Sequence, residues 1–95
     1  MKNARFEWDD DKAETNRHKH RVGFDEACEV FGDPHALDEI DDSVEEERWR
    51  RIGRARSGLL FVVYVERTTR IRIITARRAN KRETAAYRGQ APSEE

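Results

Sequence analysis

Arginine side chains are interleaved with strand-forming apolar residues between Leu59 and Arg78. The sequence there is LLFVVYVERTTRIRIITARR, with Arg72 inside the second apolar run and Arg77 near its end. A guanidinium group is always charged and can bind two oxygens of one anion. Because a mid-strand arginine among isoleucines is costly without a partner, Arg72 favours an anion-binding role. For Arg77, at the strand end, anion binding and a structural salt bridge are equally open.

His20 and Glu66 are the candidates for proton transfer. Histidine titrates near neutral pH and can act as acid or base. A lone helical histidine is more often structural or simply exposed, so both alternatives stay open for His20. Glu66 is the only acid between Arg48 and Arg82. It could be a base, but an orienting role towards Arg67 or Arg72 is favoured.

Charge is distributed unevenly along the 95 residues. The segment 1–47 contains 6 Lys and Arg against 16 Asp and Glu, whereas 48–82 contains 12 against 1, although the net charge is only −1. A basic segment of this kind suits an anionic partner. The alternative is that the acidic and basic halves pair with each other across the folded surface. Charge alone leaves the two equally open.

Composition indicates one small folded domain. Hydrophobic residues make up 36% of the chain and charged residues 41%, but the apolar residues are concentrated in periodic runs, which argues against disorder. Cys28 has no second cysteine to pair with, and the N-terminal segment lacks the apolar core of a signal peptide. No apolar run reaches membrane-spanning length. We therefore expect a cytoplasmic protein with no membrane partner.

The acidic run DDSVEEE at 41–47 raises the question of metal binding. It lacks the ligand spacing and the glycine turn of a calcium loop. Crowded like charges of this kind are more simply interpreted as a solvated segment. We expect no metal and no cofactor.

Periodicity and capping signals predict the elements that must position these side chains. They predict a short strand at Phe6–Trp8, a helix capped by Asp9 and running to about His20, a short helix in FDEACEVF, strands near 35–40, 48–54, 59–66 and 70–77, and a last helix opened by an Asn80–Glu83 capping box and running to about Arg88. The first helix carries Asn16, Lys19 and His20 on one side, which indicates that it faces a polar cleft.

The last two strands are expected to form a hairpin. A turn centred on Thr68 and Thr69 places Val65 opposite Arg72 and Glu66 opposite Ile71. Strict alternation then puts Arg72, Ile74 and Ala76 on one face of the strand and Ile73, Thr75 and Arg77 on the other.

The chain contains, in order, FEWDDDKAETNRHKH, GFDEACEVFGDP, EERWRRIGR, VVYVERTTRIRIITARRA and KRETAAY. Between about Phe6 and Tyr87 it resembles the BrnT ribonuclease toxin family of bacterial type II toxin–antitoxin pairs. The combination of W-D-x-x-K, K-H, E-R-x-x-x-I-G-R and R-I-I-x-A-R is specific, although each element alone is weak. The resemblance implies an α+β, RelE-like fold, a small mostly antiparallel sheet with two N-terminal helices and one C-terminal helix. A single domain at 1–89 with a flexible tail at 90–95 is expected.

The resemblance also implies an activity and its partners. These are metal-independent RNA cleavage, inhibition of translation, and silencing by a BrnA-type ribbon-helix-helix antitoxin that alone contacts operator DNA. Carried over by position, catalytic roles fall on Lys19, His20, Glu66, Arg72 and Arg77, and RNA-binding roles on Arg48, Arg67 and Tyr87, while Glu83 also matches the family pattern. Arg54 joins the RNA-binding set as part of the general positive charge of this half. An aromatic such as Tyr87 is at least as often part of the core.

Two other functions are open. Arg21 stands where the family usually has glycine after the Lys-His pair, which favours as second hypothesis a catalytically inactive module that acts only through its antitoxin complex. A direct DNA binder is the weaker alternative, because no helix has the run of basic and amide side chains of a recognition helix.

Overall fold

The described part of the chain forms five strands, three α-helices and one 3-10 helix. In this computed structural model, which describes residues 1–41 and 47–89, their order is β1 (Phe6–Glu7), α1 (Asp10–His20), α2 (Phe24–Ala27), the 3-10 helix (Cys28–Gly32), β2 (Leu37–Asp41), β3 (Arg48–Ala55), β4 (Gly58–Glu66), β5 (Ile71–Arg78) and α3 (Lys81–Gly89). The fold is α+β. The two predicted N-terminal helices are matched in part, since the second continues as the 3-10 helix. The tail at 90–95 lies outside the described residues, as does most of the acidic run.

The five strands form one mixed sheet in the order β1-β5-β4-β3-β2. Strands β2 to β5 pair antiparallel, whereas β1 pairs parallel to β5 through Phe6–Ile71 and Glu7–Arg72 only. The predicted register of the last hairpin is confirmed, with Val65 opposite Arg72 and Glu66 opposite Ile71. Because β1 covers only the start of β5, the edge of β5 after Arg72 has no neighbouring strand among the described residues.

A β-bulge at Ile74 changes the faces of β5. Tyr64 pairs with Ile73, and the next residue of β4, Val63, pairs with Thr75. Ile74 is therefore an extra residue that has no pairing partner on β4. The predicted alternation is therefore wrong. Ile73 and Ala76 are buried together in the core, while Arg72, Thr75 and Arg77 pair with the alternate residues of β4, on the other face.

Helices α1 and α2 and the 3-10 helix cover the core face of the sheet. Sequence determines this face through large apolar side chains in α2, the 3-10 helix and β4, among which Phe24 and Leu60 are completely or almost completely buried. Aromatic rings extend the packing, because Phe31 lies edge-on to Tyr64 at 4.8 Å between ring centroids. Burial of such side chains contributes roughly 1.5–3 kcal/mol each.

Helix α1 contains only one apolar residue, Ala13, so it attaches to the core mainly through polar groups such as the buried Asn16 side chain. Asp9 caps it as predicted, accepting from the backbone N–H groups of Asp11 and Lys12. At its other end Arg21 adopts the left-handed conformation, with φ 61°. That conformation favours glycine over residues that carry a side chain, so Arg21 adopts it at a cost.

Helix α3 begins with the predicted capping box. The Glu83 N–H donates to the Asn80 side chain at 2.8 Å, and the Asn80 N–H donates to the Glu83 carboxylate at 2.9 Å. The helix then carries Tyr87 into a buried position beside β3.

Candidate functional site

A cleft lies between α1 and the uncovered edge of β5. Its volume is about 420 Å³, and it is lined by Lys12, Thr15, Asn16, Lys19, His20, Ile74, Thr75 and Arg77. Four of these are basic, namely Lys12, Lys19, His20 and Arg77, and the described residues that line it include no carboxylate. The polar side of α1 thus faces a cleft, as its sequence predicts, and the cleft brings together three of the five predicted catalytic residues, Lys19, His20 and Arg77.

Asn16 fixes the distance between α1 and β5. Its buried amide donates to the carbonyls of Val22 at 3.1 Å and Ala76 at 2.8 Å, and its carbonyl accepts from the Ala76 N–H at 3.2 Å. One side chain therefore replaces part of the backbone pairing that β5 lacks at this edge. Residues 12, 15, 19 and 20 then line the cleft because they lie near Asn16 on the same side of the helix.

Lys19 and His20 have side chains without a partner among the described residues. Lys19 is exposed and His20 is half-buried at the last turn of α1. Neither side chain forms a hydrogen bond or ion pair with any residue that the structure describes. An ammonium and an imidazole at the mouth of a cleft are thus available to a ligand.

Arg77 is held in the cleft from two sides. Its guanidinium makes a bidentate pair with Glu83, at 2.9 and 2.8 Å, and lies over the Phe61 ring at 4.1 Å from the centroid. Burial opposes ionisation of Glu83, but hydrogen bonds from Arg77 and the Asn80 N–H outweigh it and lower the pKa of that carboxyl. Glu83 thus both caps α3 and orients Arg77.

Arg72 is not in this cleft. It donates to the Glu7 carboxylate at 2.9 Å, and both side chains are partly buried. Hydrogen bonding to Arg72 lowers the pKa of Glu7, and the charges of Lys2 and Arg67 lower it further. The orienting role considered for Glu66 at Arg72 is therefore filled by Glu7. The sequence predicts the short strand β1, but it does not predict that β1 pairs parallel to β5, which is what brings Glu7 to Arg72.

Glu66 and Arg67 lie at the turn between β4 and β5, at the far end of β5 from His20. They line a separate groove of about 370 Å³ together with residues of that turn and Arg5. Glu66 is exposed. The predicted catalytic set is thus divided between two grooves, with Arg72 between them on β5.

The remaining predicted RNA-binding residues lie on β3 and α3. Arg48 is half-buried at the start of β3, and its Nε has no hydrogen-bond partner among the described residues. Arg54 lies 5.9 Å from the Tyr87 ring centroid, and the Tyr87 hydroxyl donates to Asp33 at 2.8 Å. Burial and this bond raise the pKa of Tyr87. Tyr87 is therefore a packed residue that is already hydrogen-bonded.

Of the two alternatives raised by the uneven charge, the structure bears on the pairing of the acidic half with the basic half, which is realised in part. In the part of the chain that the structure describes, ion pairs that join the acidic half to the basic half include Glu7–Arg72, Asp25–Arg56, Glu29–Arg56, Asp38–Arg51 and Glu39–Arg50. Most of these pairs are partly exposed and are worth little individually. In the cleft, Arg77 is paired with Glu83, whereas the Lys12 and Lys19 ammonium groups have no hydrogen-bond or ion-pair partner among the described residues and keep the cleft positive.

Two further features bear on function. Across 1–41 and 47–89, no group of three or more His, Cys, Asp or Glu side chains is arranged to hold a metal ion. Within the same ranges, none of the helices combines the length and the apolar character needed to cross a membrane.

Fold and cleft together define a class, that of small α+β proteins with a cationic, histidine-containing cleft beside a sheet edge. A family model described as the ribonuclease toxin BrnT of type II toxin–antitoxin systems matches residues 8–83, which are 76 of the 95 residues. The chain belongs to this BrnT family of toxins. No curated protein sequence matches the chain.

Proposed function

We propose that the chain is an endoribonuclease toxin that cleaves RNA in the cleft between α1 and β5 without a metal ion. The observation that carries this proposal is the meeting of Lys19, His20 and Arg77 in one cleft, although α1 and β5 are far apart in sequence. Membership of a ribonuclease toxin family supports the reaction class. RNA is the substrate that such a cationic lining suits.

The reaction proposed uses the substrate's own 2′-hydroxyl. Its oxygen attacks the adjacent phosphorus while a base removes its proton, the bond from phosphorus to the 5′-oxygen breaks, and an acid protonates that leaving oxygen. The products are a 2′,3′-cyclic phosphate and a 5′-hydroxyl. The protein must supply the proton transfers and cations for the extra negative charge on phosphorus.

The cleft offers a group for each task. Arg77, held by Glu83 and Phe61, presents a fixed positive charge, and Lys19 adds a mobile one. His20 is placed beside them and can carry a proton. Glu66 is the last residue of β4 and lines the other groove, outside this cleft, so we assign it no proton transfer. Arg72 contributes positive charge next to the cleft.

The fold and partners proposed go with this activity. We propose a RelE-like toxin fold, inhibition of translation through RNA cleavage in the cytoplasm, and neutralisation by a BrnA-type ribbon-helix-helix antitoxin that alone contacts operator DNA. Arg48, Arg54 and Arg67 would then add to the electrostatic attraction of RNA. Tyr87, packed against Asp33, would support α3 and make no base contact.

Two substitutions on α1 test the site. Lys19→Ala and His20→Gln should each reduce cleavage of a labelled RNA in EDTA on the order of a hundredfold. His18→Gln is the matched control, because His18 is an exposed histidine on the same helix that pairs only with Glu14. It should cleave like the unaltered protein. Circular dichroism and thermal unfolding establish that all three variants are folded.

The inactive module is the second candidate function, and the Arg77–Glu83 pair favours it, since Glu83 already neutralises Arg77. The same assay separates the two. Antitoxin-sensitive cleavage in EDTA that is lost in the Lys19 and His20 variants supports the enzyme. RNA left intact by the unaltered protein, or cleaved equally well by both variants, would reject the proposed site.

A further inference from the structure

A second groove lies at the turn between β4 and β5. Three arginines line it, Arg5, Arg67 and Arg70, together with two threonines, Thr68 and Thr69, and a single carboxylate, Glu66. Three guanidinium groups against one carboxylate leave the groove positively charged. The threonine hydroxyls are exposed and can donate hydrogen bonds. We call this set of residues the hairpin groove.

The backbone around the hairpin groove positions two of its arginines. The Ile71 N–H donates to the Arg5 carbonyl at 2.8 Å, which joins the N-terminal segment to the start of β5. The Arg70 side chain donates through Nε to the Asn3 carbonyl at 2.6 Å. Neither the terminal nitrogens of Arg70 nor the Arg5 guanidinium forms a hydrogen bond with the described part of the chain. Both arginines thus retain unused donors.

The hairpin groove and the cleft lie at opposite ends of one strand. Ile71 borders the first and Arg77 the second. Six residues of strand at ~3.3 Å each separate them by about 20 Å. Arg72 lies along this path on the same strand. Arg72 is paired with Glu7, so a polyanion laid along β5 would meet unpaired positive charge mainly at its two ends.

We propose that the hairpin groove binds a second phosphodiester of the RNA strand that is cut in the cleft. The inference rests on the proposed function, because it takes the same RNA as ligand, and it adds a binding site several nucleotides from the reacting bond. Simultaneous occupation makes the second contact intramolecular, so affinity should depend on strand length. A strand too short to span β5 gains nothing from Arg5 and Arg70.

The test is a binding measurement that does not require cleavage. Fluorescence anisotropy with an all-2′-deoxy single strand of about 12 nucleotides, which lacks the attacking hydroxyl, reports binding alone. The double variant Arg5→Gln with Arg70→Gln should weaken its binding roughly tenfold. It should also reduce the slope of log Kd against log salt by about 0.7 for each phosphate that the two arginines neutralise. Binding of a dinucleotide to the cleft should be unchanged.

Control variants separate a local effect from the change in total charge. Arg82→Gln with Arg88→Gln removes the same charge from exposed positions on α3 and should change Kd little. Thr69→Glu and Thr69→Lys change the charge of the hairpin groove without removing a hydrogen bond that the structure describes. Thr69→Glu should weaken binding of the strand, and Thr69→Lys should tighten it. Equal weakening by both double variants, or opposite behaviour of the Thr69 pair, would overturn the inference.

The two proposals fail differently. A protein that binds the deoxy strand through the hairpin groove but cuts no RNA leaves the second site standing and removes the proposed enzyme. A protein that cuts RNA, with a KM that the double variant at Arg5 and Arg70 leaves unchanged, keeps the enzyme and removes the second site.

Discussion

Asn16 is the residue on which the cleft most depends, and Asn16→Asp is the sharpest way to test this. The substitution conserves shape and the oxygen that accepts from the Ala76 N–H. It replaces the amide nitrogen that donates to the carbonyls of Val22 and Ala76 with a second oxygen. The two buried carbonyl groups that accept hydrogen bonds from the Asn16 amide would then face a carboxyl oxygen instead.

The magnitude follows from these hydrogen bonds. A buried group left without its hydrogen bond costs roughly 1–3 kcal/mol, so the two carbonyls together imply about 4 kcal/mol. That is a large part of the roughly 5–15 kcal/mol by which small proteins are stable. At about 4–8 °C per kcal/mol for a domain of this size, the melting temperature should fall by roughly 15–30 °C.

The destabilisation should also depend on pH. Burial against two carbonyl oxygens raises the pKa of the new carboxyl above its value in the unfolded chain. A carboxyl whose pKa is raised by folding destabilises the protein least below its pKa in the unfolded chain, where it is protonated in both states. The destabilisation grows as the pH rises towards the pKa in the folded state and is complete above it. The penalty should therefore be smaller at about pH 4 than at about pH 7, because the protonated carboxyl can still donate one hydrogen bond.

Urea unfolding of both proteins at the two pH values measures this. Asn80→Asp is the matched control, since the Asn80 side chain acts only as an acceptor at the start of α3 and aspartate caps helices equally well. It should change the free energy of unfolding by less than about 0.5 kcal/mol. A destabilisation below about 1 kcal/mol for Asn16→Asp at neutral pH, or an equal destabilisation at both pH values, would refute the reasoning.

Two further predictions concern α1 and α3. Arg21→Gly should raise the free energy of unfolding by about 1 kcal/mol because Arg21 has φ 61°, whereas Arg17→Gly within the same helix should lower it by a similar amount. Thermal unfolding measures both, and a decrease for Arg21→Gly would show that its conformation is not strained. The lowered pKa of Glu83 means that its contribution to stability is present above its ordinary value of 4.5 and is lost as pH falls through the folded pKa. Glu83→Gln should therefore flatten the fall in stability between about pH 5 and pH 3 in urea titrations, and an unchanged pH profile would count against the Arg77–Glu83 pair.

Local rules accounted for the parts of the fold that sequence predicted well. The Asp9 cap, the Asn80–Glu83 capping box and the hairpin register at Val65–Arg72 each depend on residues close together in the chain. Their hydrogen-bonding partners can be read from residue type and spacing. Bounds shifted by only a residue or two in most elements.

Long-range pairings were beyond the sequence. Asn16 binds Ala76 across 60 positions and Glu7 binds Arg72 across 65, and nothing in either local pattern names the partner. The candidate site shows the same limit. Lys19 and Arg77 are predicted as site residues, and the structure brings them into one cleft. Glu66 lies in another groove. Which of these residues meet depends on which end of β5 packs against α1, and the sequence does not give that packing.

The extra residue at Ile74 has a consequence for how this strand can vary. It shifts the phase of side-chain alternation once, so that Ile73 and Ala76 share the core while Arg72 and Arg77 share the opposite face. Deleting Ile74 itself would leave the pairing and the face of every other residue unchanged, because Ile74 is the one residue of the strand that has no partner on β4. A residue inserted between Ala76 and Arg77 would instead turn the Arg77 guanidinium towards the core face. The strand should therefore tolerate the loss of one residue at the bulge but not the gain of one near the cleft.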